Sequence, residues 1–465
     1  MADRGCRLTR GARLRYGVDV ARRRVGWQVA HVPDGPAAAL LAGCWMFEVQ
    51  LSTKEGDVRV STAYNRMLGL AGAWVRDVAF GEQAMIVVVA LRRKTPVCSG
   101  CGACGLRVKD QRVKRWRHLD VGGVRCYIEC RLRRLYCPGC GDLPEMVEWA
   151  RGGARYTRDF DDLTAWLAQQ MSQTQVTRLM RIGWETVGKI LGRVVAEKLP
   201  AGRLDWLVLI GVDEVSYGAD HKFLTCVANH ETGGIVWAAE GRNAASLQAF
   251  FTGLTEEQKA SIRAVSIDMS AGYENAIRAP EGVPHAEVCF DPFHVVQLGG
   301  RAADQVRRDE YNIHGRSSTD TGKWIKGARY SLLKDPANQT PGQLLKLAEV
   351  VLTNRRMYRA FLLYGELRYI YRLPFEEAKQ RLDAWLAWAS RSRLKPFVKL
   401  ARTIRKHKPG VLAAIELGLS NGRLEALNSK VRLLSHRAYG FHSADALIAM
   451  IYLCCAGIQI ALPHR

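Results

Sequence analysis

The sequence has no uncharged run of about 20 apolar residues, the length a membrane-crossing helix needs. The stretch from Ala444 to Leu462 comes closest, but Asp445 interrupts it, and it reads as a buried helix. Nor does the chain open on a charged segment, a clean apolar core and a small-residue cleavage site, so no secretory leader is expected. Acidic residues are scarce: 45 Asp and Glu against 68 Lys and Arg leave a formal charge of +23. A polyanion is the natural partner of that surplus. Nucleic acid fits best, because the cations are spread along many segments; an acidic membrane surface or a merely basic enzyme is the alternative. Yet 48% of the residues are hydrophobic, which excludes a wholly disordered polycation. Thirteen cysteines in 465 residues do not make a secreted disulfide framework, and a reducing, cytoplasmic compartment is expected.

The length allows several domains. Residues 1–66 carry eight Arg within the first 24 positions and then a Pro/Gly/Ala stretch; they read as a basic N-terminal extension, with Met67 as the alternative start of translation. In residues 67–150, positions 74–91 read as one strand, followed up to Trp149 by a metal-organised module without regular strands or helices. Residues 151–203 predict three helices, capped at Thr157 and Ser172 and restarting near Trp184 after Arg181-Ile182-Gly183, in the manner of a helix-turn-helix. Residues 204–294 give five strands, at 207–212, 223–228, 234–239, 262–267 and 288–290, which make a mixed sheet covered by helices. Residues 295–420 read as an inserted helical domain, and residues 421–465 return to the sheet domain with a C-terminal helix.

Cys98-Ser-Gly-Cys101 and Cys137-Pro-Gly-Cys140 are matching knuckles. Two CxxC turns deliver four thiolates to one ion, which suits structural Zn²⁺. Cys104 leaves a choice open, because Cys101 and Cys104 form another CxxC; Cys126 and Cys130 fall outside the spacing and read as packed thiols. Between the knuckles Arg112, Lys114, Arg115 and Arg117, then Arg133 and Arg134, form a basic surface for DNA phosphates, with Trp116 packed beneath it. On the third helix Thr186 and Lys189 face outward as candidate readers of a major groove.

Asp213, Asp268 and Asp291 each follow an apolar strand. Carboxylates held at strand ends can converge on Mg²⁺ or Mn²⁺, and two such ions activate a nucleophile and stabilise the leaving oxygen at a phosphodiester. Glu425, Asn428 and Arg432 recur at three and four residues on a helix that also carries Lys430, so one face offers a carboxylate, an amide and cations to DNA.

The set Gly211-Val-Asp-Glu214, Glu240-Gly-Arg242 with Ser246-Leu247, Ser266-Ile-Asp-Met269, Cys289-Phe-Asp-Pro-Phe-His-Val295, Arg307-Arg308 and Leu424-Glu425 with Asn428 and Lys430 resembles transposases of the bacterial ISL3 family, over about Met67 to Ala456. The resemblance implies a multidomain chain: an N-terminal zinc-binding module, a helix-turn-helix, and an α/β RNase H-like catalytic domain interrupted by a helical insertion. It places the first DDE-type catalytic acid at Asp213, the second at Asp268 with Asp291 as the alternative, and the last at Glu425. Phe293 and His294 share an element with Asp291, His294 being either a DNA contact or a packed residue. Asn229 departs from the acidic residue expected in relatives. The implied partners are double-stranded DNA at the element's ends, target DNA and further copies of the chain, in a bacterial, nucleoid-associated setting. The rival readings are a catalytically inactive DNA-binding regulator and a structure-selective nuclease.

Overall fold

The computed structural model describes residues 59–217, 222–314, 319–420, 422–438, 441 and 443–462. Most of the basic extension, residues 1–58, lies outside them. Its last residues form α1 (Val60–Leu68), where Asn65 Oδ1 accepts the Val75 N–H at 2.8 Å and Tyr64 meets the Phe80 ring edge-on. The boundary expected after residue 66 is therefore corrected: residues 60–66 pack on the sheet that follows.

That sheet contains β1 (Ala73–Phe80), β2 (Ala84–Leu91), β3 (Arg107–Val121), β4 (Val124–Cys137) and β5 (Gly141–Pro144), ordered β1-β2-β4-β3 with β5 beside β4. The single strand expected over 74–91 is two, because the chain turns at Gly81, whose N–H donates to the Ala84 carbonyl at 2.9 Å. The module expected to lack regular structure is a long antiparallel ribbon of β3 and β4. Gly122 and Gly123, at φ 57° and 83°, supply the left-handed turn such a hairpin requires. Cys126, Ile128, Cys130 and Leu132 alternate inward along β4 and pack with Trp116, which is 1% exposed and edge-on to Trp149. Arg115 and Glu129 pair on the other face, while Lys114 and Arg112, opposite Cys130 and Leu132, continue the Trp116 face towards the end of the ribbon.

The three expected helices are α2 (Arg158–Gln170), capped by Thr157; α3 (Gln173–Met180), with a Ser172/Gln175 capping box; and α4 (Trp184–Lys198). They do not close a core alone. Leu434, Met450, Leu453 and Ile458 from the far end of the chain join Phe160, Leu167, Val187 and Ile190 in one cluster.

The second sheet contains β6 (Leu209–Ser216), β7 (Phe223–Asn229), β8 (Ile235–Glu240), β9 (Ala264–Ile267) and β10 (Glu287–Phe290), ordered β10-β9-β6-β7-β8. Strands β6, β7 and β8 are antiparallel, whereas β9 and β10 run parallel to β6, the mixed order of an RNase H-like fold. Helices α5 (Ala244–Thr252), α6 (Glu256–Ser261) and α7 (Ala271–Arg278) connect them. The insertion comprises α8 (Pro292–His314), α9 (Asp320–Gly327), α10 (Arg329–Leu333), α11 (Pro341–Thr353), α12 (Arg355–Ile370), α13 (Phe375–Arg391), α14 (Lys395–Lys406) and α15 (Lys408–Glu416). Its first helix starts at Pro292, ahead of the expected boundary at 295. Last come α16 (Gly422–Arg437) and α17 (Ala444–Cys455), the latter buried against the sheet as expected for the apolar C-terminal stretch. Among the described residues no helix is long and apolar enough to cross a membrane.

Candidate active site

In the parallel part of the second sheet Gly211 stands opposite Ser266, and Ile267 opposite Phe290. Continuing each strand therefore brings Asp213, Asp268 and Asp291 to the same end of three neighbouring strands. Asp213 lies inside β6 and not after it, because Glu214–Ser216 go on pairing with β7. Glu425 comes from the first turn of α16. Gly211 makes that approach possible: a Cβ there would lie 2.6 Å from Leu424 Cδ1 and 2.8 Å from His230 Nε2. Asn428, one turn beyond Glu425, donates to Asp213 Oδ2 at 2.7 Å, while Asp213 Oδ1 accepts the Glu214 N–H at 2.7 Å.

Asp213, Asp268, Glu425, Glu214, His294 and Arg432 line one cavity of about 510 Å³. Asp291 does not line it. It is 1% exposed, its Oδ1 accepts the Phe293 N–H at 3.3 Å where α8 begins, and its Oδ2 lies 3.7 Å from His294 Nε2. Burial pushes the Asp213, Glu214, Asp268 and Glu425 carboxyls above their ordinary range, and neighbouring carboxylates reinforce the shift, Asp268 acting on Asp213 and Asp291 on Asp268. Asp268 Oδ1 is buried and has no hydrogen-bond partner among the described residues. Clustered hard oxygens, one of them orphaned, fit a divalent cation such as Mg²⁺ or Mn²⁺.

The sign of the shift gives a test. Acids raised in the fold hold more protons there than in the unfolded chain, so their penalty to stability appears as pH rises above 3.8 for the Asp residues and 4.5 for the Glu residues. Mg²⁺ relieves a penalty present only when the acids are ionised. The Mg²⁺-dependent rise in melting temperature is expected to be larger at pH 8 than at pH 5, and to shrink in Glu425→Gln; calorimetry with and without Mg²⁺ checks it.

Glu214 was legible only as part of the Gly211-Val-Asp-Glu motif. Its carboxylate reaches Tyr273, whose hydroxyl is 3.0 Å from Thr225 Oγ1. Asn229 is buried and its Oδ1 accepts the Glu231 N–H at 2.8 Å, closing the turn after β7.

Residues 210–451 match a family model described as a transposase, residues 145–195 one for the helix-turn-helix domain of transposase family ISL3, and residues 94–140 one for the zinc-finger of transposases IS204/IS1001/IS1096/IS1165. The chain belongs to the ISL3 family of transposases. It is 38% identical over 420 residues to the transposase for insertion sequence element IS1557 of Mycobacterium tuberculosis, in two strains, covering 84% of this chain and 94% of the relative. To the transposase for IS1001 of Bordetella parapertussis it is 28% identical over 358 residues, covering 76% and 87%. The transposase is a DDE-type polynucleotidyl transferase.

Its zinc finger is complete. The Sγ atoms of Cys98, Cys101, Cys137 and Cys140 lie within 4.8 Å of one another, and Cys101 Sγ is 3.6 Å from Cys137 Sγ. A tetrahedral Zn²⁺ with Zn–S of about 2.3 Å spaces sulfurs by about 3.8 Å, so the quartet fits a structural zinc ion. The N–H groups of Cys101 and Gly100 pull the Cys98 thiol down to about 7. Gly100 carries no side chain where a Cβ would come 3.0 Å from Cys140 Sγ. Cys104 is exposed and outside the quartet, with its thiol 3.7 Å from the Gly102 carbonyl. Cys126 and Cys130, pushed up to about 11 by burial, are packed thiols as expected.

The basic surface needs correction. Arg117 is 6% exposed and bound to Asp120, so it is an internal strut. Arg133 is spent on Glu145 and the carbonyls of Lys94 and Arg93, and Arg134 on Asp142 and Asp110. Arg115 pairs with Glu129 across the ribbon at 2.6 Å. Arg112 is well exposed, and Lys114 lies over the Trp116 ring. Sequence reading missed Arg125, Arg155 and Arg181, which with Lys114 and Arg115 line a cleft of about 650 Å³ between the ribbon and the turn before α4. Only the strand register and the left-handed Arg181, at φ 54°, bring them together. On α4 Thr186 is half-buried, and Lys189 is exposed beside Glu185. Lys430 reaches the Cys454 carbonyl, and Asn428 is 7% exposed and engaged with Asp213, so it supports the acid cavity. Arg117→Ala is expected to cost about 1 to 3 kcal/mol, chiefly through packing lost against Tyr127 and Phe160, because Asp120 keeps Arg181 as a partner. Arg112→Ala should leave stability unchanged; denaturant titration of both separates the roles.

Proposed function

We propose that the transposase binds duplex DNA at the terminal inverted repeats of its own element, cleaves there and joins the ends to target DNA, with Asp213, Asp268 and Glu425 as the catalytic acids. The observation that carries this reading is that acids from β6, the end of β9 and α16 line one cavity. Asp268 is preferred to Asp291 as the second acid because Asp268 lines that cavity beside Asp213 and Glu425, while Asp291 stays beneath it at the start of α8, 1% exposed. Two Mg²⁺ ions held there would activate the nucleophile and stabilise the departing oxygen. Asn428 fixes the Asp213 carboxylate, and Arg432 offers positive charge to the phosphate. Water is the first nucleophile and breaks a phosphodiester to leave a DNA 3′-hydroxyl. That hydroxyl then attacks a target phosphodiester, so no protein–DNA bond forms.

The cleft holding Lys114, Arg125, Arg155 and Arg181 lies beside α4, which suits the zinc finger and helix-turn-helix gripping one duplex together, Thr186 and Lys189 toward the groove. Two copies pair the element's ends on the nucleoid. Leu345 and Leu352, exposed two turns apart on α11, offer apolar surface for that pairing. The test incubates purified protein with duplexes carrying the gene's flanking ends. Cleavage or joining in Mg²⁺ but not Ca²⁺, lost in Asp213→Asn and Glu425→Gln while end binding persists, is the expected result. Tight binding without cleavage under any divalent ion would replace the reading with the DNA-binding regulator.

A further inference from the structure

A second cavity outside the acid centre is built for anions. It runs along α8, has a volume of about 570 Å³, and is lined by Arg301, Arg308, Arg329, Gln297, Asp304 and Tyr364 among others. Asp304 is 7% exposed, and its carboxylate is shared by the Nε groups of Arg307 at 2.8 Å, Arg308 at 2.9 Å and Arg329 at 3.7 Å. One buried carboxylate therefore aims several guanidiniums that it does not neutralise. The side chains of Arg308 and Arg329 stay 60% and 50% exposed, and both meet Asp304 through Nε, which leaves the outer nitrogens out of that contact. Arg301 stands two turns before Arg308, held by Gln297 Oε1 at 2.6 Å. Forked guanidiniums with fixed direction are the donors best matched to phosphate oxygens.

The position of this pocket says which phosphates. Gln297 lines both it and the acid cavity. His294, Gln297, Arg301, Asp304 and Arg308 recur at three and four residues, one stripe of a single helix. At about 1.5 Å per residue, Arg301 lies about 10 Å and Arg308 about 21 Å beyond His294 along the axis. Duplex DNA advances about 3.4 Å per base pair, which makes that span about three to six base pairs. We propose that the Arg301/Arg308/Arg329 pocket grips backbone phosphates about three to six base pairs from the phosphate that reacts among the acids. The register rests on the acid assignment proposed above; the phosphate pocket itself does not. Such contacts fix position without reading sequence.

The test uses full-length protein in Ca²⁺ with an end duplex, comparing wild type with Arg301→Ala/Arg308→Ala. Both residues are exposed, and a matched melting temperature verifies the fold. The slope of log affinity against log salt should become shallower by about two, near 0.9 per lost phosphate contact. Removing two exposed cations of α13, Lys379→Ala/Arg391→Ala, should leave the slope as in wild type. Neutral methylphosphonates placed about three to six base pairs from the mapped cleavage position should weaken wild-type binding and have no further effect on the arginine variant. Equal slopes, or the same methylphosphonate penalty in both proteins, would overturn the pocket. A wild type that binds yet never cleaves in Mg²⁺ counts against the acid assignment and the register, while the slope comparison still decides the arginines.

Discussion

Asp268→Asn is expected to lower single-turnover end cleavage about a thousandfold or more, whereas Asp291→Asn should stay within about tenfold of wild type. The difference follows from what each carboxylate does. Asp268 borders the cavity shared with Asp213 and Glu425, and one of its oxygens has no partner among the described residues. An amide there removes charge from the place where a cation and a developing oxyanion need it, and about 4 kcal/mol of lost stabilisation is about a thousandfold in rate. Asp291 accepts an N–H from Phe293, a bond an asparagine oxygen also accepts, and its charge reaches the cavity only from beneath, through His294 and by repulsion of Asp268 and Glu425. End binding in Ca²⁺ should be preserved in both variants, which separates chemistry from affinity. An inactive Asp291→Asn beside an active Asp268→Asn would reverse the assignment.

Zinc removal should have the second largest effect, and it should be local. Cys137→Ser, or chelation of the wild type, is expected to release the bound zinc and abolish end binding, while Cys104→Ser keeps both. In small zinc fingers the metal supplies the folding energy outright, about 10 kcal/mol or more. Here the ribbon beyond the knuckles has its own core of Trp116, Ile128, Leu132 and Trp149. Chelation should therefore raise amide exchange at 97–106 and 137–145 while the middle of β3 and β4 stays protected. Loss of protection across the whole ribbon would show that the metal, and not this core, holds the sheet.

What the sequence made legible was whatever depends on neighbours along the chain. Helix starts at Thr157 and Ser172, the five strands of the second sheet and the two knuckles follow from local patterns, and the ISL3 motifs carried the acids. What escaped depends on register. Neither the turn at Gly81 nor the pairing of β3 with β4 stands out in a stretch dominated by arginine, so the module was expected to be irregular. Which arginines are free is likewise decided by partners far off: Arg133 is satisfied by Glu145, and Arg117 is fixed by its buried place in the ribbon. Asp268 and Asp291 both end strands; the resemblance put Asp268 first with Asp291 as the alternative, and of the two Asp268 lines the cavity.

The core shared between the first helices and the last has a consequence for incomplete chains. Leu453 and Met450 of α17 pack with the helix-turn-helix, Leu447 and Ile451 pack with Leu424 and Val431 of α16, and Gln169 of α2 donates to the Leu453 carbonyl. A product stopped by a nonsense codon or a ribosomal frameshift before α17 lacks the seat of Glu425 and part of the packing of α4 together. On the acid assignment proposed above, such a fragment should lose the acid cavity and part of the helix-turn-helix core in one step, so that only the finished chain would be competent to cut.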